Sequence, residues 1–317
     1  MRIVFLGTGD FAVPSLRALT VNGHTLVAAI SQPDRPVGRG RKVQPTPVHV
    51  AADSLRIRHV QTENVNQMNL ADVLGGAELG VAVAFGQKIG KAILDALPYG
   101  CINLHGSLLP KYRGAAPYQW AIMNGETVSG VTVFQLDERW DAGPIWSRRE
   151  VAIGDTETAS ELHDRLATVG AELLSDTVTD IQCGGTQPVS QDDSQATFAP
   201  KLSKEKSRID WTHTAFQVTR QINGLWSWPA AACKLPIAGH AAERLQLARA
   251  EVADHATPPT AEFPPGAFRP DGTVQAGSGC VRLLEVKPSG GKLMKFEAFA
   301  CGHDVKPPVK LLPFDEE

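Results

Sequence analysis

Cysteine is scarce and unpatterned: five residues in 317, at 101, 183, 233, 280 and 301, with no Cys-x-x-Cys among them. An odd number at irregular spacing argues against a disulfide framework or a thiolate zinc site and fits a reducing cytoplasm. No apolar run approaches the ~20 residues of a membrane helix. The opening "MRIVFLGTGD" enters a glycine turn too soon for a secretory signal core. Neither charge is in excess. The formal net charge is −3, so attraction of the whole molecule to a polyanion is not expected, and any nucleic acid must be met by a local basic patch. His-Glu-x-x-His and other metal spacings are missing, and "HGSLLP" is not the Gly-x-Ser-x-Gly elbow of a serine nucleophile. Chemistry here, if there is any, runs on acid–base and electrostatic terms.

What is present is ordinary globular composition, 43% hydrophobic and 21% charged, at a length that suits two domains. "RIVFLG" and "TLVAAIS" read as buried strands. Between them "FAVPSLRALTVNGH" has helical spacing, with Phe11, Leu16 and Leu19 on one face and Asn22-Gly23 as its stop. "AELGVAVAFG" and "GCINLHG" are further strands, with a helix expected in "QKIGKAILDAL". "GVTVFQLD" adds a strand and "TASELHDRLATVGAELLSDTVTDI" a long amphipathic helix. This alternation predicts an α/β domain with a doubly wound, mostly parallel sheet. "QCGGTQPVSQDDSQ" has the composition of a linker. Beyond it, "AACKL", "ERLQLARAEV", "GTVQAG" and "CVRLLEVKP" predict a smaller β-rich domain, barrel-like if it closes.

Three features carry possible chemistry. "GTGDFA" at 7–12 matches the dinucleotide fingerprint in its expected place, yet the second strand ends without the ribose-binding acid, Asp34 arriving late in "QPDRP". A plain tight turn opening onto a helix accounts for it better than a dehydrogenase does. In "INLHGSLLPKYRG", Asn103 and His105 stand two apart at a strand end and so point the same way. They lie at the sheet edge where α/β folds bind ligands. A histidine there can act as base or, protonated, join an amide N–H in stabilising an oxyanion. An isolated Asn-x-His is more often a capped strand end. Asp137 and Asp141 in "QLDERWDAGP" follow the next strand, and either could orient the histidine or be a solvated turn acid. Finally, "SQPDRPVGRGRKVQPTPV" at 31–48 concentrates Arg35, Arg39, Arg41 and Lys42 in a Gly/Pro-rich loop. "KLSKEKSR" at 201–208 and Lys287, Lys292 and Lys295 add cations further on. Together they could form a basic track for a phosphate backbone.

Taken in order, these segments resemble the methionyl-tRNA formyltransferases from about residue 2 to residue 310. "INLHGSLLPKYRGAAP" is similar to the formyltransferase core motif, "SQPDRPVGRGRK" to the family's tRNA-contacting insertion, and "KLSKEKSRIDW" to its interdomain signature. "SLLPKYRG" alone is shared with other folate-dependent formyltransferases. The resemblance implies a Rossmann-like formyltransferase domain (1–183), a linker (184–205) and an OB-like β-barrel that binds tRNA (206–312), in a cytoplasmic monomer. It implies 10-formyltetrahydrofolate as donor, the methionine amine of initiator methionyl-tRNA as acceptor, and no metal or membrane. By position, Asn103, His105 and Asp141 match the catalytic residues, with Asp137 the non-catalytic upstream acid. Ser107, Leu108, Leu109 and Pro110 match the folate-contacting segment, and Phe85 and Gly86 fall in the stretch suited to the pterin. Arg39 matches the arginine that reads the acceptor stem. Arg35, Arg41, Lys42, Lys204 and Lys206 are expected beside it on tRNA.

The chain departs from the family pattern at Arg139-Trp140, where Gly-Leu is usual, at Ala142 in place of Thr, and at "GTGDF" in place of "GTPDF". No catalytic side chain is lost, but Trp140 puts bulk beside Asp141. Two alternatives stay open: a folate-dependent formyltransferase of a small-molecule amine, which leaves the basic loop and β-rich tail without a purpose, and a non-catalytic RNA-binding protein, which leaves Asn103, His105 and Asp141 without one.

Overall fold

A computed structural model describes residues 1–37, 40, 42–236, 242–303, 305 and 309–314. The chain divides into two compact units. One comprises Met1–Gly114, Ser129–Val151 and His163–Phe198; the other comprises Ala115–Val128, Ala152–Leu162 and Ala199–Glu317.

The first unit is built on a seven-stranded sheet. In chain order its strands are β1 (Arg2–Gly7), β2 (Thr25–Ser31), β3 (His59–Gln61), β4 (Leu79–Val83), β5 (Cys101–His105), β6 (Val128–Gln135) and β7 (Ile145–Ala152), and across the sheet they run β7-β6-β5-β4-β1-β2-β3. Pairing from β3 to β5 is parallel and β6 returns antiparallel to β5. The central strands have no polar face because helices or loops cover both sides: all five residues of β4 are buried. The predicted helical face of α1 (Val13–Val21) is in place, with Phe11, Leu16 and Leu19 all in the core. Order reverses at β1, since β2 and β3 lie on one side and β4 and β5 on the other. That reversal opens a crevice beyond the strands' carboxyl ends.

Two turns meet at that crevice. A Cβ on Gly7 would lie 2.7 Å from Phe5 and 2.9 Å from the Val83 carbonyl, so only glycine fits. The Thr8 hydroxyl donates to the Phe85 carbonyl at 3.0 Å, and Gln32 Nε2 donates to the same oxygen at 2.9 Å. The turn "GTGDFA" is therefore tied to the turn after β4, and a short 3₁₀ turn (Asp10–Ala12) precedes α1. Asp34 is occupied elsewhere: it accepts from Thr46 N, Gln61 Nε2 and His49 Nδ1. Burial alone would raise the Asp34 carboxyl, but these hydrogen bonds outweigh it and hold it below the usual range. Nothing in the second strand supplies the acid a dinucleotide site needs.

The 31–48 segment is not the plain loop its composition suggests. Arg35–Val37 and Lys42–Gln44 pair as a short antiparallel hairpin in the register Arg35↔Gln44, Pro36↔Val43, Val37↔Lys42. Pro47 opens helix α2 (Pro47–Ser54), capped by the Thr46 hydroxyl accepting from His49 N. Proline at the first helical turn loses no hydrogen bond.

The second unit holds a six-stranded antiparallel sheet made of β8 (Ala231–Leu235), β9 (Glu243–Asp254), β10 (Val274–Gln275), β11 (Cys280–Pro288), β12 (Met294–Lys295) and β13 (Leu312–Pro313). Its order is β10-β11-β9-β8-β13, with β12 also on β11. Isolated bridges Phe268↔Val274 and Ala267↔Lys310 link the two ends, so the sheet curls into the expected barrel-like form. A helix that the sequence pattern did not single out, Ala215–Leu225, carries a Thr214/Gln217 capping box. It buries Val218, Ile222 and Leu225 in this unit's core. Asn223, fully buried, exchanges two hydrogen bonds with the backbone of Ala250 at an irregularity of β9.

Candidate active site

β5 delivers the first two residues. Its register sets Asn103 opposite Phe134 and His105 opposite Thr132 on β6. Strand alternation puts both side chains on one face. Behind them, a Cβ on Gly170 of the long helix Ala159–Cys183 would lie 2.7 Å from Leu104, so helix and strand pack in direct contact. Asn103 is half-buried, and its carboxamide makes no hydrogen bond among the described residues. It is free for a ligand.

His105 is 7% exposed. Its Nε2 lies 2.9 Å from the Tyr112 carbonyl oxygen. A carbonyl only accepts, so the partner assigns the proton to Nε2. Its Nδ1 faces the Asp141 carboxylate, 4.0 Å from Oδ2. The ring edge turned toward the acid is thus the one without a close partner. Asp137, by contrast, is taken up by Arg139. Of the two acids, Asp141 is the one placed at the histidine.

The turn after His105 is closed by buried hydroxyls. The Thr132 hydroxyl, wholly buried, donates to the Ser107 carbonyl at 2.7 Å and accepts from Leu109 N at 3.1 Å. The Ser107 hydroxyl donates to the Lys111 carbonyl at 2.6 Å. Ser107 and Leu109 have no exposed surface, backbone included, so neither is placed to meet a ligand directly; their groups are spent on closing the turn. Leu108 covers Gly130, and Pro110 is half-buried. Phe85 is buried and Gly86 exposed at the end of β4. Gly86 has φ +77, and a Cβ there would collide with Gln32.

The Asp141 loop is held from outside. Asp141 has φ +50, a left-handed conformation rare for a residue with a side chain. Its Oδ2 accepts from Gly114 N at 2.8 Å. The carbonyls of Asp141 and Gly143 both accept from Gln191 Nε2, at 3.0 and 2.8 Å, and that of Ala142 accepts from Arg139 Nη2 at 2.9 Å. Gln191 is gripped in turn by the nearly buried Arg113, which also pairs with Asp193 at 2.6 Å. Hydrogen bonding from Arg113 holds the Asp193 carboxyl below its usual value. Asp193 also meets Arg139 at 3.2 Å. Trp140 points into solvent, 60% exposed, so its bulk does not crowd the loop.

Sequence reasoning missed Arg113, Thr132, Gln191 and Asp193 as parts of the site. Arg113 stood inside the quoted core motif and offered a signal. Gln191 and Asp193 lie in a segment whose composition is that of a linker. The described basic residues belong to both units. Arg35 and Lys42 lie on the hairpin, and Arg35 donates to Gln32 Oε1 at 2.7 Å. Arg39 and Arg41 lie outside the described residues. Lys204 and Lys206 sit on a 3₁₀ turn (Lys204–Ser207) in the second unit, with Lys206 over the Trp120 ring at 5.1 Å. No helix among the described residues is long and apolar enough to cross a membrane.

Comparison with known proteins follows this geometry. Residues 1–178 match the family model for formyl transferase, and residues 201–304 match the one for the formyl transferase C-terminal domain. The fold agrees with that of an N-formyltransferase from Helicobacter canadensis in complex with folinic acid and dTDP-3-aminofucose. The TM-score is 0.65 at 19% identity, over 89% of this chain and 98% of that one. It agrees also with HypX from Aquifex aeolicus in complex with tetrahydrofolic acid, at TM-score 0.61 and 18% identity, over 100% of this chain and 51% of that one. Fold and sequence models together define a formyl transferase.

Nearer relatives narrow the class. A methionyl-tRNA formyltransferase from Solibacter usitatus is 42% identical over 313 residues, 98% of each chain. The protein of that name from Bacillus velezensis is 39% identical over 323 residues, covering 100% of this chain and 99% of its own. The chain belongs to the methionyl-tRNA formyltransferase family.

Proposed function

We propose that the protein transfers a formyl group from 10-formyltetrahydrofolate to the methionine amine of initiator methionyl-tRNA. The observation that carries this reading is the convergence of Asn103, His105 and Asp141 in a chain of this family. The crevice suits a folate: it has a free amide at Asn103 and exposed backbone at Gly86, with Phe85 in the core beside it. The donor supplies a formyl carbon on a nitrogen leaving group.

The residues' own roles follow from their contacts. Protonated on both ring nitrogens, His105 presents an Nδ1–H that, with the Asn103 amide, can donate to an oxygen that becomes negative as the amine attacks. Such a donor typically contributes ~3–4 kcal/mol. Asp141 faces the same edge with one oxygen held by Gly114 N, leaving the other to take the proton that the attacking amine loses. The leaving nitrogen must regain a proton, and His105 between donor and acid can relay it. Leu108 and Pro110, both half-buried, meet the folate together with Gly86, while Ser107 and Leu109 shape the turn beneath them and Phe85 backs it from the core. Arg35, Arg39, Arg41 and Lys42 on the first unit, and Lys204 and Lys206 on the second, contact tRNA phosphates. Arg39 reads the acceptor stem. The protein works as a monomer in the cytoplasm.

The test offers labelled 10-formyltetrahydrofolate together with initiator methionyl-tRNA, elongator methionyl-tRNA or free methionine. Label on the initiator tRNA alone is expected. Transfer to none of the three overturns the reading, and transfer to free methionine with equal efficiency favours a small-molecule formyltransferase.

A further inference from the structure

We propose that Gln191 is a positioning residue: it folds the 141–143 turn and so sets the Asp141 carboxylate against His105. The proposal rests on the assignment of Asp141 to the reaction. Its first support is that the orientation of the Gln191 amide is not arbitrary. Arg113 Nε and Nη2 approach Oε1 at 3.1 and 2.7 Å, and a guanidinium only donates, so this atom is the oxygen. Nε2 then points at the turn, and both its hydrogens have a carbonyl, Asp141 O at 3.0 Å and Gly143 O at 2.8 Å. One side chain draws together the carbonyls on either side of Ala142.

The second support is what the turn requires. Asp141 at φ +50 is in a conformation that costs ~1–3 kcal/mol for a non-glycine residue unless its surroundings over-determine it. Gly143 passes so close to Gln135 that a Cβ would collide with the carbonyl of that strand residue. With Arg139 on the Ala142 carbonyl, three successive carbonyls are each capped by a side chain. The carboxylate is left one direction, with Oδ2 on Gly114 N and 4.0 Å from His105 Nδ1. Gln191 itself is placed by a two-way backbone bridge two residues earlier, Ile145↔Val189, with bonds of 2.7 and 2.8 Å. Thus the stretch that reads as a linker fixes the acid.

The substitution Gln191→Glu keeps an acceptor for Arg113 and replaces the two donors by an oxygen facing two carbonyls. Gln191→Met keeps the length and removes all four hydrogen bonds. In the full chain each is expected to lower kcat by roughly a hundredfold, the scale of a ~1 Å displacement of a reacting group, while KM for both substrates changes little. The discriminating measurement is the double variant with Asp141→Asn. If Gln191 acts through Asp141, the losses do not multiply; a residue that merely supports the fold gives losses that do. Thermal unfolding of each variant, with Gln191→Met standing in should Gln191→Glu not fold, keeps collapse apart from mispositioning. Unchanged kcat in either folded variant, or multiplying losses, overturns the proposal. Full turnover in Asp141→Asn overturns the site assignment, and the proposal with it. A wild type that formylates and an Asp141→Asn variant that does not make failure of the proposal visible by itself.

Discussion

The two loops that build the site are held in different ways. The 106–114 turn takes a closing bond from inside itself, the Ser107 hydroxyl on the Lys111 carbonyl, and others from Thr132 on the paired strand and from Thr197. Among the described residues, the 137–143 loop takes no closing bond between its own two ends: Gln191, 50 positions beyond Asp141, holds its Asp141 and Gly143 carbonyls and Asp193 meets Arg139, with Arg113 gripping both Gln191 and Asp193 from behind. A turn closed partly within itself carries its chemistry in a contiguous motif. A remotely closed one carries only its reactive acid in sequence, and the means of aiming it lies elsewhere.

The largest effect separates chemistry from scaffolding in the first loop. His105→Ala is expected to lower turnover by roughly 10²–10⁴-fold, the usual contribution of a positioned acid–base group. The affinity for tRNA should stay near wild type. Steady-state kinetics beside a direct tRNA-binding measurement check this. Near-normal turnover would remove His105 from the reaction and leave it the role of a strand-end cap.

Next comes the closure of the first turn. Thr132→Val is close to isosteric but strips the Ser107 carbonyl and Leu109 N–H of their shared partner in a fully buried place. Leaving such groups unsatisfied costs about 1–3 kcal/mol, read as a lower denaturant midpoint. A wild-type midpoint would mean that the turn does not depend on Thr132, and the contrast between the two loops would lose its basis.

The remote closure has a charge component with a definite sign. Asp193 is held below its ordinary value of 3.8 chiefly by hydrogen bonding from Arg113. A depressed folded-state value means the contribution is present at pH above 3.8 and is lost as pH falls through the folded-state value. The carboxylate is 58% exposed, so screening keeps the effect small. The stability difference between wild type and Asp193→Asn should be flat from neutral pH down to about pH 5 and shrink below about pH 4. Denaturant midpoints across that range give the test, and a difference that grows with acidity would contradict it.

These contacts explain what could be read in the sequence. Short β-branched runs with glycine at their ends gave several strands with correct limits, among them Arg2–Gly7, Thr25–Ser31 and Cys280–Pro288. In each, apolar residues carry the local signal. β7 escaped because it lies at the sheet edge and alternates charged with half-buried residues. The helix Ala215–Leu225 escaped because Thr219, Asn223 and Gly224 are poor helix formers, and Asn223 is retained for its contact with Ala250. At the site, Asn103, His105 and Asp141 stand where a strand end and a Gly-Pro turn announce them. Gln191 has no such neighbour, and its partners are known only once the chain has folded.

The smallest expected effect concerns the position where sequence raised most doubt. Trp140 replaces a smaller apolar residue usual in the family and stands directly before Asp141. Were its side chain packed beneath the loop, changing it would move the acid. Instead it is 60% exposed, while the loop backbone is fixed by donors on the Asp141, Ala142 and Gly143 carbonyls, none of which comes from Trp140. Trp140→Leu is therefore expected to change stability by no more than about 0.5 kcal/mol, as for a surface substitution away from special features, and to leave kcat near wild type. In the Gln191→Met variant the loop has lost its main brace, and the same substitution should still be neutral if Trp140 plays no part in aiming Asp141. A loss of turnover from Trp140→Leu that appears only in that weakened background would show that the indole shares in holding the loop, and would soften the division between the two modes of closure.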